Sequence, residues 1–274
     1  MEAERRQVTV LFADMVGFTS FSERAGEEAA FTLMRSLWKI MSDAVHEHGG
    51  VVQDFTGDGI MAVFGAPIAF EDAPLKASRA ALSILQSLEA DGPDLEARHG
   101  VRPQMRIGIN TGPAVVGKVD DRAGGGDAVL GDTVNFAARL QSIAEPGSVF
   151  LSEATHRLVQ GLVEAHFAGE QTVKGKSEPQ KVYRLNAVRQ GVARFEAAVS
   201  RGLSAFVGRE RELEALERGL DKARSEICVI DVAAEPGMGK SRLLHEFRRL
   251  SAPLSLLATA PLTGSRRRFF RLSK

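Results

Sequence analysis

The sequence predicts an α+β fold, and three observations predict it. A β-branched, strand-like run at Gln7–Ala13 leads into a long helical period ending near His48. Two short strands then bracket an Asp-Gly turn, one of the strongest hairpin signals. A further helix and strand complete a β-α-β-β-α-β order. That order is the split βαβ, ferredoxin-like arrangement, an antiparallel-dominated sheet with helices packed on one face.

Each element has a local reason. Ala30, Leu33, Leu37, Ile40, Ala44 and Val45 recur at three- and four-residue spacing, predicting one helix from Ser22 to His48 that Gly49-Gly50 stops. Val51–Phe55 and Ile60–Phe64 are the hairpin strands around Thr56-Gly57-Asp58-Gly59. Asp72 as N-cap and Pro74 in the first turn open a second helix to about Leu88, with Gly92–Gly100 as connecting chain. Met105–Thr111 and Ala114–Val119 read as a strand pair around Gly112-Pro113. After a glycine-rich loop and the strand Ala128–Leu130, a third helix is expected over Thr133–Ile143. Val149–Leu151, a helix near Glu153–Gly161 and a strand pair ending at Lys181–Leu185 follow. The expected organisation is a first domain over residues 1–185, a linker at 186–204 and a second segment over 205–274.

Composition narrows the classes. Of the 274 residues, 44% are hydrophobic and 26% charged, ordinary for a globular chain and unlike a disordered or collagenous one. A single cysteine, Cys228, excludes an internal disulfide and a cysteine zinc cluster. No apolar run suggests a membrane span and the start lacks a secretory pattern, so the expected compartment is the cytoplasm. The net charge of zero hides an asymmetry: residues 1–185 carry 18 basic and 25 acidic side chains, the remainder 17 and 10. Seven basic residues and no acidic ones lie from Arg248 onward. A basic tail suits nucleic acid, but the expectation here is a solvated terminal segment without strand or helix and no nucleic-acid partner.

Chemistry concentrates in a few places. Asp14 ends the first strand and Asp58 sits in the hairpin. If those strands are neighbours, the two carboxylates converge and can hold two divalent ions, Mg2+ or Mn2+, which clamp the attacking and leaving oxygens of a phosphoryl displacement. The amides of Val16, Gly17, Phe18 and Thr19 lie in a glycine-containing turn before a helix, a place to receive phosphate oxygens. Asn135 and Arg139 stand four apart on the third helix and so share a face, where an amide and a guanidinium can orient a ribose and stabilise charge on a phosphoryl group. Lys174 offers one more phosphate contact. Taken singly, each has a plain structural use: a turn aspartate, a hairpin aspartate, exposed helix residues, a solvated lysine.

Taken together, LFADMVGFT, the Gly-Asp-Gly hairpin, LGDTVNFAARL and VKGK closing on VYRL resemble the class III nucleotidyl cyclases over residues 5–185. The resemblance implies two metal ions on Asp14 and Asp58, ribose positioning by Asn135, transition-state stabilisation by Arg139 and a triphosphate contact from Lys174. It also implies a homodimer whose sites span the interface, with ATP, or alternatively GTP, as substrate. Adenylate cyclase activity, a phosphorus-oxygen lyase reaction, is the leading expectation. The departures fall at base recognition: Asp54 replaces the lysine usual in ATP-specific members, and Ala128 replaces their aspartate or threonine. A silent cyclase-like module regulating an ATPase is the competing reading.

A second resemblance lies in AAEPGMGKS, where Gly237, Gly239, Lys240 and Ser241 follow a P-loop pattern but Ala234 replaces its first glycine. Only 33 residues follow Ser241. The expectation is an incomplete P-loop α/β fragment with little or no ATP hydrolysis.

Overall fold

The computed structural model describes residues 4–70, 72–119, 126–171, 178–189, 206–223, 228–233, 239–250, 256–259 and 267–272. The chain divides into two compact units, Met1–Val192 and Ala193–Lys274.

In the first unit the strands are β1 (Glu4–Met15), β2 (Val51–Phe55), β3 (Gly59–Phe64), β4 (Met105–Val119), β5 (Gly126–Leu130), β6 (Ser148–Ser152), β7 (Val163–Gln171) and β8 (Gln180–Val188). The helices are α1 (Phe18–Ala25), α2 (Glu27–Glu47), α3 (Ala73–His99), α4 (Asp132–Ile143) and α5 (Glu153–Val159). The strands form one mixed sheet in the order β2-β3-β1-β4-β6-β8-β7, with β5 paired on the far part of β4. Its heart, β2-β3-β1-β4, is antiparallel throughout, and β4–β6 is the parallel pair.

Helices cover both faces, not one. Along β1 the side chains alternate. Val8, Val10 and Phe12 pack with Ala137 of α4. Thr9 lies across from Phe64, whose ring, together with Val45 of α2, fills the place a Cβ on Gly50 would take. The split βαβ order fixes the crossovers of α2 and α3; α4 belongs to an added strand-helix unit and takes the opposite face. It comes very close there because β4 offers it little bulk. A Cβ at Gly108 would lie 2.2 Å from the Gln141 amide nitrogen and 2.4 Å from the Ala137 carbonyl oxygen, both backbone atoms. The buried Asn110 donates its amide to the Thr133 carbonyl at 3.0 Å, and the Thr133 hydroxyl donates to the Pro113 carbonyl at 2.7 Å. The helix is thus tied down at its first turn and seated near its last.

Three expected boundaries are corrected. The long first helix is two, because Gly26, at φ 84, breaks the backbone while the apolar period runs on. The second helix continues through Gly92-Pro93 to His99: Leu88 and Leu95, seven apart, are both buried, so packing outweighs the proline. Met105–Val119 is one strand, not a hairpin. Pro113 falls where the second edge of β4 has no partner, since β6 pairs up to Ile109 and β5 begins opposite Val115. Its missing N–H therefore costs no ladder bond there.

The second unit has α6 (Glu210–Ala223), β9 (Cys228–Ala233), α7 (Lys240–Leu250), β10 (Leu256–Thr259) and β11 (Arg267–Leu272). Leu216, Leu243 and Phe247 form its core with Phe206, Leu213 and Ile230 packed around them. The terminal segment, expected without strands, supplies two, and β11 pairs antiparallel with both β9 and β10. An apolar strand such as β9 requires backbone partners, and the last residues provide them. No parallel strand pair is present among the described residues of this unit. Gly239 and Lys240 stand at the head of α7 with Ser241 behind them, while Gly237 lies outside the described residues.

The seat of α4 gives a direct test. Gly108→Ala is expected to cost about 1–3 kcal/mol by overpacking against backbone. A urea unfolding curve checks it; an unchanged midpoint contradicts the close approach.

Candidate active site

The register of β1 on β3 builds the site. Asp14 lies opposite Gly59, and the Met15 amide donates to the Asp58 carbonyl at 3.0 Å. The side chain of Asp58 is therefore delivered beside that of Asp14. The turn closes on itself through the Thr56 amide and the Gly59 carbonyl at 3.0 Å. Gly59 is required here, because a Cβ would stand 2.1 Å from the Ala13 carbonyl oxygen and 3.0 Å from Asp14 Oδ1.

Asp14 is part-buried and its pKa is pushed up to about 7. Burial is the largest cause, followed by a hydrogen bond to Asp58 and that residue's negative charge. Two groups pull the other way: the Gln141 side-chain amide, donating to Asp14 Oδ2 at 3.2 Å, and the positive charge of Arg106. Arg106 stands opposite Asp14 on β4, and its buried Nε has no hydrogen-bond partner among the described residues.

Such a pair fits a divalent cation. Two crowded carboxyl groups repel once both ionise, and a cation between them removes that cost. The donors are all oxygen, as Mg2+ and Mn2+ prefer. Among the described residues no group of three or more His, Cys, Asp or Glu side chains converges, which leaves further coordination positions to phosphate and water oxygens.

The phosphate-facing turn is smaller than expected. The Val16 amide already donates to the Gln104 carbonyl at 2.8 Å, so it is withdrawn from the set. Gly17, at φ 73, caps α1, and Phe18 and Thr19 open it, where first-turn amides lack intrahelical acceptors.

On α4 the buried face is Thr133, Phe136, Ala137 and Leu140. Asn135 is exposed and Arg139 part-exposed, both directed away from the chain's own core. Asp54 is exposed on the edge strand β2, just after a bulge, and Ala128 is part-buried on β5 opposite Gly117. Lys174 lies outside the described residues. The geometry thus assembles Asp14, Asp58 and the head of α1 in one place and presents Asn135 and Arg139 outward.

Gln141 and Arg106 carry no local sequence signal. Arg106 needed the β1–β4 register to be seen, and Gln141 needed the close seat of α4.

Residues 1–187 match the family described as the adenylate and guanylate cyclase catalytic domain. This chain belongs to that family. Adenylate cyclase 1 of Rhizobium meliloti is 31% identical over 200 residues, 72% of this chain and 30% of that protein. The crystal structure of the adenylyl cyclase CyaB from P. aeruginosa superposes with a TM-score of 0.66 at 28% identity, covering 70% of this chain and 100% of that one. The guanylyl cyclase Cya2 superposes at 0.65 with 31% identity, covering 70% of this chain and 97% of that one. The cyclase domain is accordingly a nucleotidyl cyclase catalytic domain, with relatives of both base specificities. The chain spans 24% to 30% of the length of three curated relatives it matches. Among the described residues no helix is long and apolar enough to cross a membrane.

The carboxyl pair makes the cyclase domain's stability pH-dependent when metal is withheld. Asp14 rises from 3.8 to about 7 on folding, so between those values the folded state holds a proton that the unfolded state has released. Stability is then fully present below the lower value and is lost as pH rises through about 7. In EDTA, wild type is expected to lose about 1–2 kcal/mol more than Asp58→Asn between pH 5 and pH 8, the arithmetic of the shift being discounted for a part-exposed group. Denaturant curves at the two pH values check this, and parallel losses contradict it.

Proposed function

We propose that two copies of this chain form an adenylate cyclase acting in intracellular signalling. The ribose 3′-oxygen of ATP attacks the α-phosphorus, a new P–O bond closes the ring, and the bond to pyrophosphate breaks. The 3′-hydroxyl proton leaves to solvent. One observation carries this reading: the acids converge on one side of the sheet end while Asn135 and Arg139 face outward, so a complete site needs a second copy.

Asp14 and Asp58 of one copy would hold two Mg2+ or Mn2+ ions, which when bound neutralise the triphosphate and acidify the attacking hydroxyl. Phe18 and Thr19 offer amides to phosphate oxygens, and Arg106 adds positive charge beside Asp14. The partner's Asn135 orients the ribose, and the partner's Arg139 meets the charge that grows on the phosphoryl group. A two-fold dimer gives two equal sites, since the surface is self-complementary. Lys174 is assigned a triphosphate contact on the family resemblance alone. The relatives titled adenylate cyclase support ATP.

A second reading is favoured by one residue. Asp54 puts an acid, not a lysine, at a base-reading position, and an exposed carboxylate accepts from the guanine edge. That points to GTP and cyclic GMP. The preserved acids, amide and guanidinium weigh against a silent module. The P-loop-like segment is assigned little or no ATP hydrolysis, because Ala234 replaces the first glycine of the pattern.

Two measurements test the proposal. Purified protein given equal ATP and GTP with Mg2+ or Mn2+ is expected to yield mainly cyclic AMP by mass spectrometry. Mainly cyclic GMP selects the second reading, and no cyclic nucleotide overturns both. Asp14→Ala and Arg139→Ala chains, each nearly inactive alone, are expected to recover activity when mixed, because one intact site then forms per heterodimer. Absence of recovery contradicts a shared site.

A further inference from the structure

The helix that offers Asn135 and Arg139 outward also reaches inward to the chain's own acids. Near its last turn Gln141 donates from Nε2 to Asp14 Oδ2 at 3.2 Å. Asp14 Oδ1 points instead toward the hairpin, where a methyl on Gly59 would stand 3.0 Å from it. The two oxygens are therefore distinguished: Oδ2 is held by the amide, and Oδ1 lies toward the hairpin at Gly59. The helix has little freedom to relax this. Its first turn is fixed by the Asn110 amide and the Thr133 hydroxyl, and its later part rests on the bare backbone of Gly108.

We propose that Gln141 is a positioning residue for Asp14, fixing which carboxylate oxygen faces the metal site, and that α4 thereby serves two sites at once. Through Gln141 it sets the acid of its own chain, and through Asn135 and Arg139 it completes the site of the partner. This rests on the two-copy reading above. Groups that orient a metal-binding carboxylate typically change metal affinity or activity about 10–100-fold when removed. Gln141→Leu keeps the bulk of the side chain and removes its donor.

The first test needs no turnover. Mn2+ binding to the nucleotide-free full chain, followed by calorimetry, is expected to weaken about tenfold in Gln141→Leu. A circular dichroism spectrum and melting curve like wild type show that α4 is intact. If the spectrum shows a loss of fold, Gln141→Asn at the same position gives the comparison with the amide retained but too short to reach. Unchanged Mn2+ affinity in folded Gln141→Leu overturns the proposal.

The second test separates positioning from a general effect on the helix. In the Asp14→Ala and Arg139→Ala heterodimer, Gln141→Leu is placed on one chain or the other. A roughly tenfold loss is expected on the chain that supplies Asp14, and a loss under about twofold on the chain that supplies Arg139. Equal losses on both placements mean that Gln141 only supports α4 and overturn the proposal. If the parent heterodimer itself never recovers activity, it is the shared-site reading that fails, and Mn2+ affinity alone then decides the role of Gln141.

Discussion

Everything in the site depends on two acids being forced together by strand pairing. Asp14 closes β1 and Asp58 lies in the turn leading into β3, and their backbones are linked by the Met15–Asp58 hydrogen bond at 3.0 Å. Neither side chain chooses this proximity. It is imposed by the β1–β3 register, which the hydrophobic residues of both strands specify, since a slip of one residue would send Val8 and Val10 to the wrong face. The fold's packing energy maintains an electrostatic conflict that only a proton or a cation resolves. Burial first, and then the neighbouring Asp58, raise the pKa of Asp14 in the metal-free protein.

The same sheet explains why α4 presents Asn135 and Arg139 outward. β4 carries Gly108, Asn110 and Gly112 on its α4-facing side, and this row of small or hydrogen-bonding residues lets a helix lie unusually close. Drawn in so tightly, α4 shows solvent only its far side, and that side holds the amide and the guanidinium. Their distance from the chain's own core is a consequence of the seat beneath them.

Much of this was legible in the sequence. The hairpin residues Thr56–Gly59, the strand running to Asp14 and the four-residue spacing of Asn135 and Arg139 all follow from local chemistry. What local pattern could not give was set by contacts distant in sequence. Gly112-Pro113 reads as a turn, yet sits within β4 because its open edge tolerates a proline. Gly92-Pro93 reads as a helix end, yet buried Leu95 carries α3 onward. Helices on both faces follow from α4 meeting a strand of small residues, a tertiary fit with no periodic signature. The Val16 amide looked free until the chain at Gln104 folded beside it. Gln141 and Arg106 matter only through what they face, and sequence spacing does not show facing.

The central claim is that Asp14 and Asp58 constitute a divalent-cation site completed by triphosphate. Its most direct measurement is the count of Mn2+ ions bound per site, by electron paramagnetic resonance, in the presence of 3′-deoxy-ATP, which can bind but lacks the attacking hydroxyl. Wild type is expected to bind two ions, and Asp58→Ala to lose tight binding. A wild-type chain that binds none under those conditions, or an Asp58→Ala chain that binds both as tightly, would contradict that claim.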